Sequence, residues 1–299
     1  MKEKNTVGEI RLIQLLQLSA LKEIERVCSE LGIDYFAIAG TLLGSFRHDG
    51  FIPWDTDADI AMFRKDYSMF VKKGNEVINQ GFSIQSDYND DKNRTCFARV
   101  RIKGTEFNER NNIKNEEFSG FYVDVFPIDP ISRLPNYWLL FKHKIFKLLV
   151  RVKAYRAGKV MSSTKLRSVI GFILNTSFFF LSNKRLRRFL EDFPKTNSFE
   201  KSYFVTNYNS KYGLIKQTMP KSEYGVSRRR LFDGIFIRIP DQPESWLKRI
   251  YGDYNRIPNH PPITLEALLP NYEVSFGKYT HLLNMSECDV RNILELPVK

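Results

Sequence analysis

Cysteine is scarce in this 299-residue sequence: Cys28, Cys96 and Cys288, odd in number and far apart. That excludes a disulfide framework and a cysteine-based zinc cluster, and it points to a reducing compartment. A membrane-spanning helix needs roughly 20 consecutive apolar residues, and even the apolar patch at 169–181 is too short for that. The opening MKEKNTVGEIR is polar and mixed in charge, with no apolar stretch of a secretion signal, so a cytoplasmic protein is expected. Internal repeats and low-complexity tracts are missing too. The most informative lack is of acid. Between 133 and 190 there are fourteen Lys or Arg and no Asp or Glu. The remainder carries 32 basic against 34 acidic residues, so the formal charge of +12 belongs to this one segment. A nucleic-acid binder more often spreads charge over its binding face, and a confined charge points to a local function instead.

What the sequence does contain describes a folded globular protein, 42% hydrophobic and 14% aromatic. Apolar residues spaced by three to five over 7–31 predict an amphipathic helix that covers the core and ends at Gly32. A buried strand is expected over 34–39, a short helix over 41–47, a strand over 57–63 and a helix over 65–80 that stops at Gly81. Short strands follow at 82–86 and 96–102, the second alternating Phe97, Val100 and Ile102 against Arg99, Arg101 and Lys103 as a half-exposed strand does.

The run 33–63 carries the chemistry. In an extended strand, period-two spacing puts Asp57 and Asp59 on one face, with Ala58 and Ile60 on the other. Two carboxylates held side by side repel unless a cation lies between them. Oxygen-only ligands suit Mg²⁺ or Mn²⁺, which in turn suit phosphates. Further on, Asp124 interrupts the apolar strand GFYVDVFPID, and a buried carboxylate needs a partner. Two partners are open: the cation shared with Asp57 and Asp59, or a neighbouring turn that Asp124 caps.

The basic segment has two readings as well. Phe141, Ile145, Leu148 and Val152 line one helical face, and Lys144, Lys147 and Arg151 the adjacent one. A second apolar patch at 169–181 includes Phe178, Phe179 and Phe180 between basic clusters. Either this is a helical subdomain with solvated cations, or an interfacial patch on an anionic membrane leaflet. The C-terminal third reads as a turn and a strand over 230–240, a helix over 244–251, and a proline-rich loop holding Arg256 and His260.

Three pieces, AGTLLGSFRHDGFIPWDTDADIAM at 39–62, GFYVDVFPID at 120–129 and FDGIFIRIPDQPESWLKRIYGDY at 232–254, resemble the LicD family of phosphotransferases, relatives of fukutin. The resemblance spans about 35–260 and implies an α+β fold, a nucleotidyltransferase-like mixed sheet flanked by helices. It divides the chain into a catalytic core at 1–132, a basic helical insertion at 133–200, and a C-terminal part at 201–299 that completes the catalytic domain. Such proteins move phosphocholine, or a similar group, from CDP-choline or another CDP-linked donor to a glycan or lipid-linked glycan, with no part for nucleic acid. On this resemblance Asp57, Asp59 and Asp124 bind Mg²⁺ or Mn²⁺, and Gly40 and Thr41 form the glycine turn against the donor phosphates. Where the family often has WDDDID this chain has WDTDAD, with Thr56 in place of an acid on the face away from Asp57 and Asp59. The zinc site of fukutin relatives has no cysteines to build it here.

Arg47 and His48, just past the glycine turn, are candidate phosphate contacts, and Asp124 or Asp129 a candidate base for the acceptor hydroxyl. Tyr251 and Tyr254 suit either a choline cage or turn packing. Asp55 is expected to stabilise its own turn, Trp54 to belong to the core, and His260 to be structural. The competing readings are nucleotidyl transfer to a small molecule, which uses the same metals, and a non-enzymatic membrane or nucleic-acid binder working through 133–190.

Overall fold

The computed structural model describes residues 6–109, 116–158, 176, 178, 180–196, 198–259 and 264–298. In chain order the first half contains α1 (Glu9–Leu31), β1 (Phe36–Ala37), α2 (Ala39–Arg47), β2 (Asp59–Phe63), α3 (Arg64–Val77), β3 (Phe82–Gln85), β4 (Ala98–Ile102), β5 (Glu106–Glu109) and β6 (Tyr122–Ile131). The second half contains α4 (Tyr137–Arg156), α5 (Asn183–Asp192), β7 (Phe204–Thr206), β8 (Met219–Pro220), β9 (Arg228–Phe232), β10 (Ile235–Ile239), α6 (Pro243–Tyr251), β11 (Tyr272–Ser275) and α7 (Glu287–Ile293). Short helices lie between them, the longest a 3-10 helix over Gly277–Asn284.

Helix α1 is the hub. Leu12, Ile13, Leu15, Leu16, Leu18, Leu21, Ile24 and Val27 are fully buried and leave the helix on every side, not along one stripe. Each contributes about 2 kcal/mol of burial. The helix packs on β4 and β6, beside α3, and under β10. Gly32 ends it at φ 63°, in the left-handed region. The expected core-covering helix is therefore a central one. The difference lies in 228–239, where the expected turn and strand are a whole hairpin that closes over α1. Its loop is Asp233-Gly234, both at positive φ (51° and 93°), as a two-residue hairpin turn requires.

The main sheet runs β1-β2-β6-β4-β3, and β7 and β8 continue from the far half of β6. Only β2 and β6 are parallel; every other pairing in this sheet is antiparallel. A mixed sheet with helices makes the fold α+β, as expected. Elements beyond residue 201 enter the same core, among them Phe232, Ile237, Trp246, Leu247, Leu282 and Val290.

Several local expectations shift. The helix expected over 65–80 ends at Val77 because the buried carboxylate of Glu23 on α1 takes both Asn79 N–H groups, backbone and side chain, at 2.8 and 2.7 Å. β4 is not half-exposed: Arg101 is buried and Arg99 is half-buried against the neighbouring elements. The face of α4 is rotated from the one expected. His143, Phe146, Leu149 and Val152 point inward, where they form a second, smaller core with Leu186 and Leu190 of α5 and with Tyr208 and Leu214. Phe141 and Ile145 point outward. The inward stripe begins with a histidine, whose Nε2 lies 2.9 Å from the Tyr208 carbonyl, so hydrophobicity alone selects the wrong face. Nor are all the cations of α4 solvated, since Lys153 is buried and pairs with Asp87. Most of the apolar patch at 169–181 lies outside the described residues.

Candidate active site

Sheet register builds the centre of the site. Asp59, the first residue of β2, lies opposite Asp124 on β6, and Asp124 lies opposite Arg99 on β4. One row across three strands thus carries carboxylate, carboxylate and guanidinium. Arg99 Nε donates to Asp124 Oδ1 at 2.8 Å. The interruption in the apolar strand has a cationic partner, not a turn to cap, and that partner stands 25 residues upstream.

Asp57 is not in the ladder, contrary to the strand expected from residue 57. The stretch before β2 is held from α1 by side chains. Gln14 Nε2 donates to the carbonyls of Ile52 (3.0 Å) and Asp55 (2.9 Å). Gln17 Nε2 bridges the carbonyls of Thr56 (2.9 Å) and Tyr122 (3.0 Å), tying the two segments together just before their strands pair. A glutamine in the middle of an apolar helix is costly without such partners. These two were the signal that α1 does more than cover the core.

Helix α2 supplies the other wall. A Cβ on Gly40 would sit 2.4 Å from Asp55 Oδ2, so glycine here lets that carboxylate approach the start of the helix. Asp55 also serves its own turn, accepting the Thr56 N–H at 3.1 Å. Thr41 is buried, and its Oγ1 accepts the Asp59 N–H at 2.8 Å. Thr41 thus ties the start of α2 to the backbone of a metal candidate.

The carboxylates crowd one another. Burial, followed by the charge of Asp57, pushes Asp55 up to about 8. Burial raises Asp59 well above the usual range, with Asp57 and Asp124 adding to the effect. Burial outweighs the opposing charge of Arg99 and raises Asp124 as well. Lys211 is pulled down by burial, but Tyr212 and the cluster of Asp57, Asp59 and Asp55 raise it on balance. Among the described residues, no three or more Asp, Glu, His or Cys side chains close into a ready cage for a metal. The donor set nevertheless fits a hard divalent cation: oxygen ligands only, with Asp59 buried and its charged form disfavoured by Asp57 and Asp124. Asp57, Asp59 and the second oxygen of Asp124 are the residues that would hold it.

The remaining candidates divide. Arg47 Nη1 donates to the carbonyls of Tyr254 (3.3 Å) and Arg256 (3.2 Å), while its Nε and the His48 Nδ1 are buried without a partner among the described residues. Burial, and then Arg47, lower the His48 pKa, so the imidazole is neutral. Its ring meets Trp54 edge-on at 5.9 Å. The Tyr251 hydroxyl lies 2.9 Å from that of Tyr212, and burial keeps it protonated beside Asp59 and Asp55. Asp129 does not join the cluster. It is fully buried, five residues along β6 and on the other face, in a two-pronged pair with Arg64 at 2.6 and 2.7 Å. His260 lies outside the described residues. Sequence reasoning missed Gln14, Gln17, the partnership of Arg99, and Lys211 with Tyr212.

Comparison with known proteins converges on the same stretch. Residues 32–148 match the LicD/FKTN/FKRP nucleotidyltransferase domain. Over 257 residues the chain is 27% identical to the lipopolysaccharide cholinephosphotransferase LicD of Haemophilus influenzae, an alignment covering 83% of this chain and 92% of that protein. Shorter matches reach an uncharacterised protein of Rickettsia typhi (37% over 60 residues, 20% of this chain and 19% of the other) and one of Rickettsia prowazekii (34% over 64 residues, 21% and 23%). The matched domain holds Gly40, Thr41, Asp57, Asp59 and Asp124 around one row of the sheet, and it is in this domain that the chain resembles the LicD family.

Proposed function

We propose that the protein is a metal-dependent phosphotransferase that moves phosphocholine, or a similar phospho-substituent, from a CDP-linked donor to a hydroxyl of a cell-surface glycan precursor. The observation that carries this reading is the register that seats Asp59 beside Asp124, within a domain matching a family whose H. influenzae member is named a lipopolysaccharide cholinephosphotransferase. The acceptor oxygen bonds to the phosphorus bearing the head group, and the bond from that phosphorus to the CMP oxygen breaks. A bound Mg²⁺ or Mn²⁺ supplies charge neutralisation at the donor diphosphate. Asp57, Asp59 and Asp124 hold it, and Arg99 fixes the direction of Asp124. Lys211 and Arg47, the latter held by neutral carbonyls, add positive charge where the leaving group develops negative charge. The phenol of Tyr251, kept protonated, is a donor to the same oxygens.

Incubation with Mg²⁺ and CDP-choline plus a glycan acceptor is expected to release CMP. Release of pyrophosphate from a nucleoside triphosphate, without CMP from any CDP-linked donor, would move the reading to nucleotidyl transfer.

The same reading has the protein working at the inner face of the cell membrane from the cytoplasmic side. No described helix is long and apolar enough to cross a membrane. On α4, however, Tyr137, Phe141 and Ile145 follow one another at four-residue intervals on the outer face, 93%, 52% and 36% exposed. Lys142 and Lys144 flank them and Arg133 precedes them. An anionic leaflet suits this pattern, each basic residue near the surface adding about 1 kcal/mol. The protein is expected to float with vesicles containing anionic lipid, to be released by salt, and to float less when Tyr137 and Phe141 become Ser. Flotation that ignores lipid charge would leave the helical-subdomain reading alone.

A further inference from the structure

Beside the acidic row, a cavity of about 700 Å³ opens between β4, β5 and α4. It touches the row through Arg99, and Tyr122 stacks beneath that guanidinium at 4.1 Å. The walls are strongly cationic. Lys92, Arg94, Arg99, Arg101, Lys147 and Arg151 line the cavity, against the single carboxylate of Glu109 among the described lining residues.

Two of these cations make no ion pair with a described residue and are held by neutral acceptors. Arg101 is only 6% exposed, and it donates to Gln85 Oε1 at 2.9 Å and to the Gly120 carbonyl at 2.8 Å, both neutral. Burial, followed by the charge of Arg99, pushes it down to about 9, the direction expected of a guanidinium short of an anion. Lys147 donates to the carbonyls of Asn209 (2.9 Å) and Ser210 (3.2 Å), also neutral. Arg151, one turn further along α4, is exposed at the edge and pairs with no described residue. A buried cation bonded only to neutral acceptors is costly, and an incoming anion offsets that cost. The opposite wall is aromatic, with Phe107 and Tyr272 stacked at 4.6 Å. Flat apolar faces beside fixed cations suit a sugar ring that carries phosphate.

We propose that this cavity is the acceptor site and that it recognises the acceptor by a phosphate or diphosphate attached to its sugar; the assignment to the acceptor rests on the transferase reading above. The donor's diphosphate belongs at Asp57 and Asp59, and those carboxylates lie outside the cavity. The helix that walls the cavity with Lys147 and Arg151 also carries the outward stripe of Tyr137, Phe141 and Ile145. A glycan phosphate held at a lipid surface therefore meets the cavity from the side on which α4 is exposed.

The test is titration calorimetry of inorganic pyrophosphate into the full-length protein with no divalent cation present, conditions in which the acidic row repels the probe. Binding is expected. Arg151→Gln and Lys147→Gln should each weaken it about tenfold. Arg101→Gln should do so as well, and its thermal melt checks the fold; Arg151 is exposed, so its variant keeps the test valid if the buried one fails to fold. Excess CDP should leave the titration unchanged. Unaltered affinity in the variants, or displacement by CDP, would overturn the proposal. Glucose 1-phosphate and a polyprenyl diphosphate in neutral vesicles, each used as competitor, identify a soluble or a lipid-linked source of the phosphate. Competition by neither would also overturn the proposal. Binding is read without turnover, so pyrophosphate binding in a protein that releases no CMP would retain the anion site and remove the transferase reading.

Discussion

Asp59→Ala is expected to lower CMP release by roughly a thousandfold or more, while the protein folds as well as the parent or better. Both halves follow from one geometry. Asp59 is buried beside Asp124 on the next strand, with Asp57 two residues before it, all three of one sign. In the protein without metal, ionising Asp59 is unfavourable, so removing its carboxylate relieves repulsion while it deletes a ligand. Stability against pH carries the same signature. Asp55 rises from 3.8 to about 8 on folding, so the folded state binds its proton more tightly. The metal-free protein should lose stability as pH rises through that window, from 3.8 to about 8. Mg²⁺ competes with those protons, so the rise in melting temperature that it produces should grow over the same window and vanish in Asp59→Ala. Full turnover by Asp59→Ala, or a Mg²⁺ effect that does not change with pH, would remove the metal assignment.

The second large effect is structural and lies away from the chemistry. Asp233 is 1% exposed at the tip of the hairpin over α1. Its carboxylate accepts from Arg11 at 2.6 and 3.0 Å and from Arg291, itself buried, at 2.6 Å. Burial pulls the Asp233 pKa upward, but the two arginines lower it on balance. This contribution is therefore present above 3.8 and lost as pH falls further. Asp233→Ala leaves Arg291 buried without its best counter-charge, a loss of about 3–5 kcal/mol. Glu287 still reaches both arginines, at 2.6 and 2.8 Å, which puts the expected value near the lower end. A melting temperature lower on the order of ten degrees is the expected readout. Asp233→Asn keeps a residue tolerant of positive φ and separates the charge effect from the turn. Unchanged melting in both variants would show that the ion pairs are energetically silent.

Local chemistry was legible in the sequence wherever it depended on neighbours along the chain. The spacing of Asp57 and Asp59, the lone carboxylate of Asp124 in an apolar strand, the stop at Gly32 and the turn-forming Asp233-Gly234 are all short-range signals. Partnerships were not legible. Arg99 read as the solvent side of a half-exposed strand and proved to be the partner of Asp124. Asp129 read as a candidate base and proved to be held by Arg64. Gln14 and Gln17 read as part of a helix covering the core and proved to tie down the acidic loop. Each depends on register between strands, or on a helix lying across a sheet, and no periodicity along one segment encodes either.

Read alone, the sequence establishes that Asp57 and Asp59 stand two residues apart, that a third carboxylate comes from a distant apolar run, and that all the excess positive charge sits in one segment, 133–190. Packing in three dimensions sets which groups meet: Asp59 and Asp124 fall in one row, Asp57 stands just outside the ladder, and α4 turns Phe146 inward and Phe141 outward. The physical reason is that a side chain's direction follows from its own backbone, whereas its neighbours follow from how separate segments pack.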